Sequence, residues 1–200
     1  MHLSCCSMSA HIPYIDLTND PRRFRMPVFY FYSMTMHTLR LMRLDDLPEI
    51  MDIQLDVYSD ELQETPDIIA QRLAQVPDLA LVAEDHQGIC GYLFSYRSRR
   101  GAITPLDGLF VEPTHSDCLY LHDLAVAPRA LKRGIGPSLV KHKLKMARQA
   151  GLQHCSLVSV QDSAAFWQHL GFQTQDAHTP QQAAALDSYG VPAVYMQKNL

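Results

Sequence analysis

No stretch of the chain approaches the run of about 20 apolar residues that a bilayer-spanning helix needs. Its first residues, MHLSCCSMSAHIPYIDL, lack the basic start and continuous apolar region of a secretory signal. Cysteine is scarce: Cys5, Cys6, Cys90, Cys118 and Cys155 are odd in number and form no CxxC pair. That pattern argues against a disulfide framework and against a zinc site. His154 and His169 stand isolated from other ligand types, so no metal is expected. Neither sign of charge dominates. A net charge of −4 over 200 residues leaves no whole-chain footprint for nucleic acid or an anionic membrane. Internal repeats and low-complexity segments are also missing. These absences predict a reduced, cytoplasmic protein, a monomer or homodimer, with no nucleic-acid or membrane partner. Hydrophobic residues at 47% are enough for the core of one domain with tails.

The most informative stretch runs from Cys118 to Gly151. Leu119, Leu121, Leu124 and Val126 make an apolar run of strand length, interrupted by His122 and Asp123. Pro128 ends it, since proline cannot donate to a sheet ladder. Lys132, Arg133, Gly134, Ile135 and Gly136 follow, and Pro137 comes as a helix should begin. Glycines at a helix N-terminus leave outward-pointing N–H groups that a phosphate can approach without meeting a Cβ.

Residues 1–37 differ from the rest. They carry Pro13, Pro21 and Pro27, an Asn19-Asp20-Pro21 turn and a cluster of Arg22, Arg23 and Arg25. They are expected to form an N-terminal extension, partly disordered or peripheral, with an added strand or arm as the alternative. The regular domain is expected over 38–200. LRLMR alternates like a strand. Asp45 is placed to cap a helix over Leu47–Val57, with Ile50, Ile53 and Val57 on one face. Tyr58 to Glu64 reads as a polar, acidic, solvated loop. Thr65-Pro66-Asp67 opens a helix to about Gln75. LALVAE (79–84) and ICGYLFSYR (89–97) read as strands about an Asp85-His86-Gln87-Gly88 turn. Residues 98–117 form a loop long enough to be functional. After the 118–151 unit come a strand over His154–Val160 and a short helix capped by Asp162 or Ser163. Two final strands, Phe172–Gln175 and Val191–Lys198, flank a polar segment 176–190. Lys141, Lys143, Lys145 and Arg148 read as a solvated helix face.

This ordered set resembles the GNAT (GCN5-related N-acetyltransferase) superfamily over about residues 38–200. The matching pieces are LHDLAVAP, KRGIG opening a helix, SAAFWQHLGF, and a closing YGVPAVYM strand. YLHDLAV with FWQHLGF is similar to the arylalkylamine N-acetyltransferase branch. The resemblance implies an α/β fold: a mixed sheet of about seven strands with flanking helices, splayed between the fourth and fifth strands. It implies acetyl-CoA as co-substrate and direct acetyl transfer to a primary amine, expected to be a small molecule. A protein or peptide acetylase, or a catalytically weak acetyl-CoA-binding module, is the alternative. The phosphate loop maps onto Leu131, Lys132, Arg133, Gly134, Ile135 and Gly136, with Ser138 beyond. Leu131 stands where the family usually begins its loop with Arg or Gln. Leu124, Ala125 and Val126 map onto the strand that pairs with the pantetheine arm. Trp167 occupies the position where many members carry a tyrosine acid for the leaving thiolate. Indole N–H can donate a hydrogen bond but cannot give up its proton at useful cost. Tyr189 is the substitute expected from sequence, with solvent the alternative.

Acetylating an amine requires a neutral nitrogen, hence a base. His122 is the candidate, because a free imidazole titrates near 6.5, and the resemblance implies the same role. A buried structural histidine is the competing reading. Strand alternation puts His122 on one face with Tyr120, Leu124 and Val126. It puts Asp123, a second candidate catalytic group, on the other unless a bulge intervenes. Tyr58 and Tyr120 are the expected acceptor-binding residues. Phe94, Tyr96, Phe166 and Trp167 form either an aromatic slot or ordinary core.

Overall fold

The computed structural model describes residues 37–200. The expected extension over residues 1–37, with its arginine cluster, Cys5 and Cys6, lies outside the described residues apart from His37. Among the described residues seven strands form one sheet: β1 (Thr38–Leu41), β2 (Leu81–Asp85), β3 (Gly88–Ser98), β4 (Cys118–Val126), β5 (His154–Ser159), β6 (Gln173–Thr174) and β7 (Val194–Asn199). Their order is β1-β2-β3-β4-β5-β7-β6. Every neighbouring pair is antiparallel except β4 and β5, which are parallel. This is the mixed sheet expected from sequence.

Helices α1 (Leu47–Val57) and α2 (Pro66–Gln75) cover one face, burying Ile50, Ile53, Ile69 and Leu73 against Tyr92, Phe94 and Tyr120. Helices α3 (Ile135–Gln149) and α4 (Ala164–His169) cover the other, packing Ile135, Leu139, Leu144 and Trp167 against Leu93, Leu119 and Leu121. Each such side chain removed from water stabilises the fold by about 1.5–3 kcal/mol. Thr65 caps α2 as expected, its hydroxyl accepting the Ile68 N–H at 3.4 Å. Asp45 does not cap α1. It lies in a 3-10 turn over Leu44–Asp46, and Asp46 takes the position before the helix, which starts at Leu47 as expected. Asp46 instead accepts the Arg43 N–H and pairs with the Arg40 guanidinium. Neither Asp162 nor Ser163 caps α4 with its side chain, and the Ser163 hydroxyl donates to the Val160 carbonyl at 2.7 Å.

The polar segment 176–190 is not wholly irregular, because α5 (Pro180–Asp187) lies within it. Its signal stands in the sequence as a capping box. The Thr179 hydroxyl accepts the Gln182 N–H while the Gln182 side chain accepts the Thr179 N–H.

Two irregularities in β4 place the site. Its pairing with β5 runs from Cys118↔His154 to Leu121↔Leu157 and stops, although both strands continue. On its other edge the register with β3 slips: Ser95 faces Leu121, Phe94 faces Asp123, and His122 is the extra residue of a bulge. A bulge shifts every later side chain to the opposite face. Simple alternation therefore fails beyond His122. Leu119 and Leu121 pack on the α3 side, and after the bulge Leu124 and Val126 do so. Tyr120 and Ala125 pack on the α1–α2 side, and Asp123, between them, bonds Tyr58 there.

The basic face expected on α3 is broken by Lys143, which is fully buried with no hydrogen-bond partner for its Nζ among the described residues. Burial lowers its pKa to about 8, against the opposing pull of Asp78. The unfolded chain therefore binds more protons than the native one between about pH 8 and 10.5, and native stability rises across that window. Replacing the amine with a thioether should remove the penalty. Lys143→Met is expected to be more stable than the wild type by about 2–3 kcal/mol at pH 7. The advantage should fade as pH rises from about 8 towards 10.5, which urea unfolding at pH 7 and pH 10 will check.

Candidate active site

The parted strands open onto two connected concavities. The first, about 210 Å³, lies between the C-terminal end of α1 and the β4 bulge. Its polar lining includes Tyr58, Glu64, His122, Asp123 and Tyr189; its apolar walls include Val57, Leu62 and Leu106. The second, about 520 Å³, is a groove running along Leu124 and Val126 to Leu131, Lys132, Gly134 and Gly136 at the start of α3. The two share Leu124, Ser163 and Trp167.

In the cavity, the Tyr58 hydroxyl donates to Asp123 Oδ1 at 2.6 Å and to the Leu124 carbonyl at 3.1 Å. Burial and the nearby Glu64 charge raise the Asp123 pKa, while Tyr58 opposes them. The His122 side chain is only 3% exposed. Its Nε2 lies 3.6 Å from Glu64 Oε1, and Phe110 sits edge-on to its ring at 5.2 Å. Glu64 is buried, so the region from Tyr58 to Glu64 is not entirely a solvated acidic loop; Asp56, Asp60 and Glu61 are exposed as such a loop requires. The Glu64 carboxylate pairs with the fully buried Arg72 through Oε2 and accepts the Asp107 N–H through Oε1. Burial alone would raise its pKa, but His122 and Arg72 outweigh burial and hold it at about 2.

The 98–117 loop closes one side of this cavity. The Arg72 guanidinium donates twice to the Gly108 carbonyl, at 3.1 and 2.8 Å. Tyr189 donates to the Thr104 carbonyl at 3.0 Å, and Ser188 accepts the Leu106 N–H at 3.0 Å. Phe110 stacks on Tyr96 with ring centroids 4.4 Å apart. Sequence reading missed Glu64 and Arg72 because, apart from each other, the groups that fix their place at the site (Asp107, Gly108 and His122) lie tens of residues away.

At the groove, Gly134 opens α3 with φ +78° and Lys132 precedes it at +61°. These left-handed positions turn successive amides outward, and Ile135 and Gly136 begin the helix with no intrahelical acceptor before them. The Arg133 guanidinium, expected to lend charge to the loop, pairs with the buried Asp85 carboxylate at 2.8 Å. Asp85 also holds Arg129 at 3.0 Å, and Arg129 donates to the Ile89 carbonyl at 3.0 Å. Burial would raise the Asp85 pKa, but the Gln87 N–H, Arg133 and Arg129 keep it at about 2. The β2–β3 turn thus clamps the glycine loop, a contact spanning over 40 residues that sequence gave no sign of.

The remaining expected residues divide. Tyr120 is fully buried beside Tyr96 and lies outside the cavity lining. Ala125 turns into the core. Ser138 lies outside the groove lining, and its N–H is taken by the Gly134 carbonyl. Phe94 and Tyr96 are core, whereas Phe166 and Trp167 line the groove.

The sequence model of the Acetyltransferase (GNAT) family matches residues 47–172, a span that holds both concavities' strand and loop. The chain belongs to this family. It is an acetyltransferase. Among curated proteins none matches it. Several solved GNAT structures share the fold. Naa20 of Chaetomium thermophilum with a bisubstrate analogue is 24% identical, covering 82% of this chain and 86% of its own, with a TM-score of 0.58. The GphF GNAT-like decarboxylase in complex with isobutyryl-CoA is 17% identical, covering 81% and 98%, with a TM-score of 0.65. The ribosomal-protein-S18-alanine N-acetyltransferase from Escherichia coli is 15% identical, covering 82% and 94%, with a TM-score of 0.58. The narrower likeness to the arylalkylamine branch finds no support among them.

The buried Glu64–Arg72 pair makes a stability test of this GNAT site. Arg72→Met leaves a buried carboxylate without its main partner and should cost about 3–5 kcal/mol. A Glu64→Leu/Arg72→Met double variant should recover most of that loss. Glu64 has a depressed pKa, so its contribution is present above the ordinary 4.5 and lost as pH falls towards about 2. Acid unfolding of the wild type and the double variant will show whether that window flattens.

Proposed function

We propose that the protein transfers acetyl from acetyl-CoA directly to the nitrogen of a small primary amine. One observation carries this reading: the groove along the unpaired edge of β4 and the cavity beside His122 meet at Leu124 and Trp167. The groove suits acetyl-CoA. Past Leu121 the β4 backbone has no β5 partner, so it can accept the pantetheine amides as a further strand would. The amides at Gly134–Gly136 and the N-terminus of α3 suit the pyrophosphate. The thioester would then lie at the bulge, between the two concavities.

The cavity suits the amine. His122 takes the ammonium proton, after which the nitrogen attacks the thioester carbonyl. A backbone N–H of the splayed strand polarises that carbonyl. Asp123 accepts the Tyr58 hydroxyl and so fixes it in the cavity wall. No acyl-enzyme is needed, and Cys90, Cys118 and Cys155 all lie in the core. Tyr189 is less suited to protonate the leaving thiolate. Its hydroxyl is engaged by Thr104, burial raises its pKa, and it lies outside the groove. A thiol with an ordinary pKa near 8.5 can leave as thiolate, stabilised by the Trp167 N–H, and take its proton from solvent.

The ribosomal-protein-S18-alanine N-acetyltransferase relative keeps a protein or peptide acceptor as the second reading. Against it, Leu106 and Tyr189 wall the cavity on the side of the 98–117 loop.

Free-thiol release from acetyl-CoA should occur with short primary amines and not with peptides carrying a free N-terminus. Preference for a peptide, or tight acetyl-CoA binding without turnover on any acceptor, would overturn the proposal. His122→Gln should lower kcat by about 10²–10⁴-fold with acetyl-CoA affinity unchanged.

A further inference from the structure

We propose that Glu64 is a positioning residue that fixes the tautomer of His122, placing the hydrogen on Nε2 and leaving Nδ1 as the basic nitrogen. The inference rests on the reading of His122 as base.

Glu64 is held from every side. Its backbone carbonyl accepts the Gln54 side-chain amide at 2.8 Å, and its N–H donates to the Gln54 side-chain oxygen at 3.1 Å. Its carboxylate is fixed by Arg72 and by the Asp107 N–H. Arg72 is itself fixed by the Gly108 carbonyl and lies 5.1 Å from the Phe110 ring centroid. The carboxylate therefore cannot turn away from the imidazole without breaking the loop from α2.

The chemistry then leaves one choice. Glu64 is held ionised, and an ionised carboxylate accepts hydrogen bonds but donates none. The ring nitrogen that faces it must carry the hydrogen when the imidazole is neutral. That nitrogen is Nε2, 3.6 Å from Oε1, a separation of the kind that shortens when an active site is loaded. Nδ1 is then a bare acceptor. It is buried and has no hydrogen-bond partner among the described residues, although His122 lines the cavity. A histidine kept only for packing would be matched at both nitrogens. Here Nε2 faces the Glu64 carboxylate at 3.6 Å, and Nδ1 meets no protein donor or acceptor among the described residues. Phe110 and Tyr120, at 5.2 and 6.2 Å between centroids, flank the ring.

The tautomer is directly measurable from the 15N shifts of the His122 ring in the intact protein. The wild type should show protonated Nε2 and bare Nδ1. Glu64→Gln, whose amide can donate as well as accept, should populate both tautomers and lower kcat about 10–100-fold. Its acetyl-CoA affinity should stay unchanged, whereas a merely structural defect would weaken binding too. Glu64→Asp should restore the wild-type tautomer and part of kcat. If Glu64→Gln does not fold, Glu64→Gln/Arg72→Met removes the unpaired cation and gives the same readouts. A wild-type ring protonated on Nδ1, or a Glu64→Gln enzyme with wild-type kcat, would overturn the proposal. If His122→Gln keeps full activity, the reading of His122 as base fails instead, while the 15N shifts still decide whether Glu64 sets the ring.

Discussion

Everything at this site follows from β4 and β5 ceasing to pair after Leu121 and Leu157. Up to that point the two strands are ordinary parallel neighbours. Beyond it, β4 presents an unpaired backbone edge, which no strand or helix among the described residues covers. Such an edge is destabilising in a buried sheet unless something pairs with it. The bulge at His122 coincides with the parting and completes it. One extra residue on β4 turns Asp123 towards α1 and α2, and turns Leu124 and Val126 towards α3. The same few residues therefore floor the cavity on one side and wall the groove on the other.

Two buried carboxylates hold the surroundings in register. Glu64 ties the α1–α2 connection to α2 and to the 98–117 loop. Asp85 ties the β2–β3 turn to the glycine loop through Arg133 and Arg129. Each is desolvated, which alone would favour its neutral form, and each is kept ionised by guanidinium partners and backbone N–H groups. Such pairs add less to net stability than their short distances suggest, because both charges were well solvated before folding. What they do provide is direction. Each restricts a loop that sheet hydrogen bonding alone would leave loose.

Much of this architecture was legible from local chemistry. The limits of α1, α2 and β4 follow from apolar periodicity, from Thr65-Pro66, and from Pro128. The glycine loop announced a phosphate cradle by residue type alone. The failures were also physical. Asp45 does not cap α1, because it lies inside a 3-10 turn and Asp46 takes the position before the helix. Lys143 was assigned to solvent because its neighbours on α3 are basic, yet the helix turns it under the sheet. The capping box at Thr179 was present and overlooked, and with it a helix that carries Ser188 and Tyr189 to the loop.

The sequence by itself determined which segments become strand and helix, and that a glycine turn meets a helix N-terminus after β4. Those properties depend on neighbours within a few residues, through side-chain period, caps and backbone freedom. Only the tertiary structure decided which side chains share the cavity. A single unpaired residue in β4 reverses the facing of everything after it, and that slip is set by the β3 register. Likewise Glu64, Arg72 and Asp85 acquire their roles from partners more than a few residues distant in the chain. Burial and charge at those positions are properties of the packed sheet, not of any stretch of sequence.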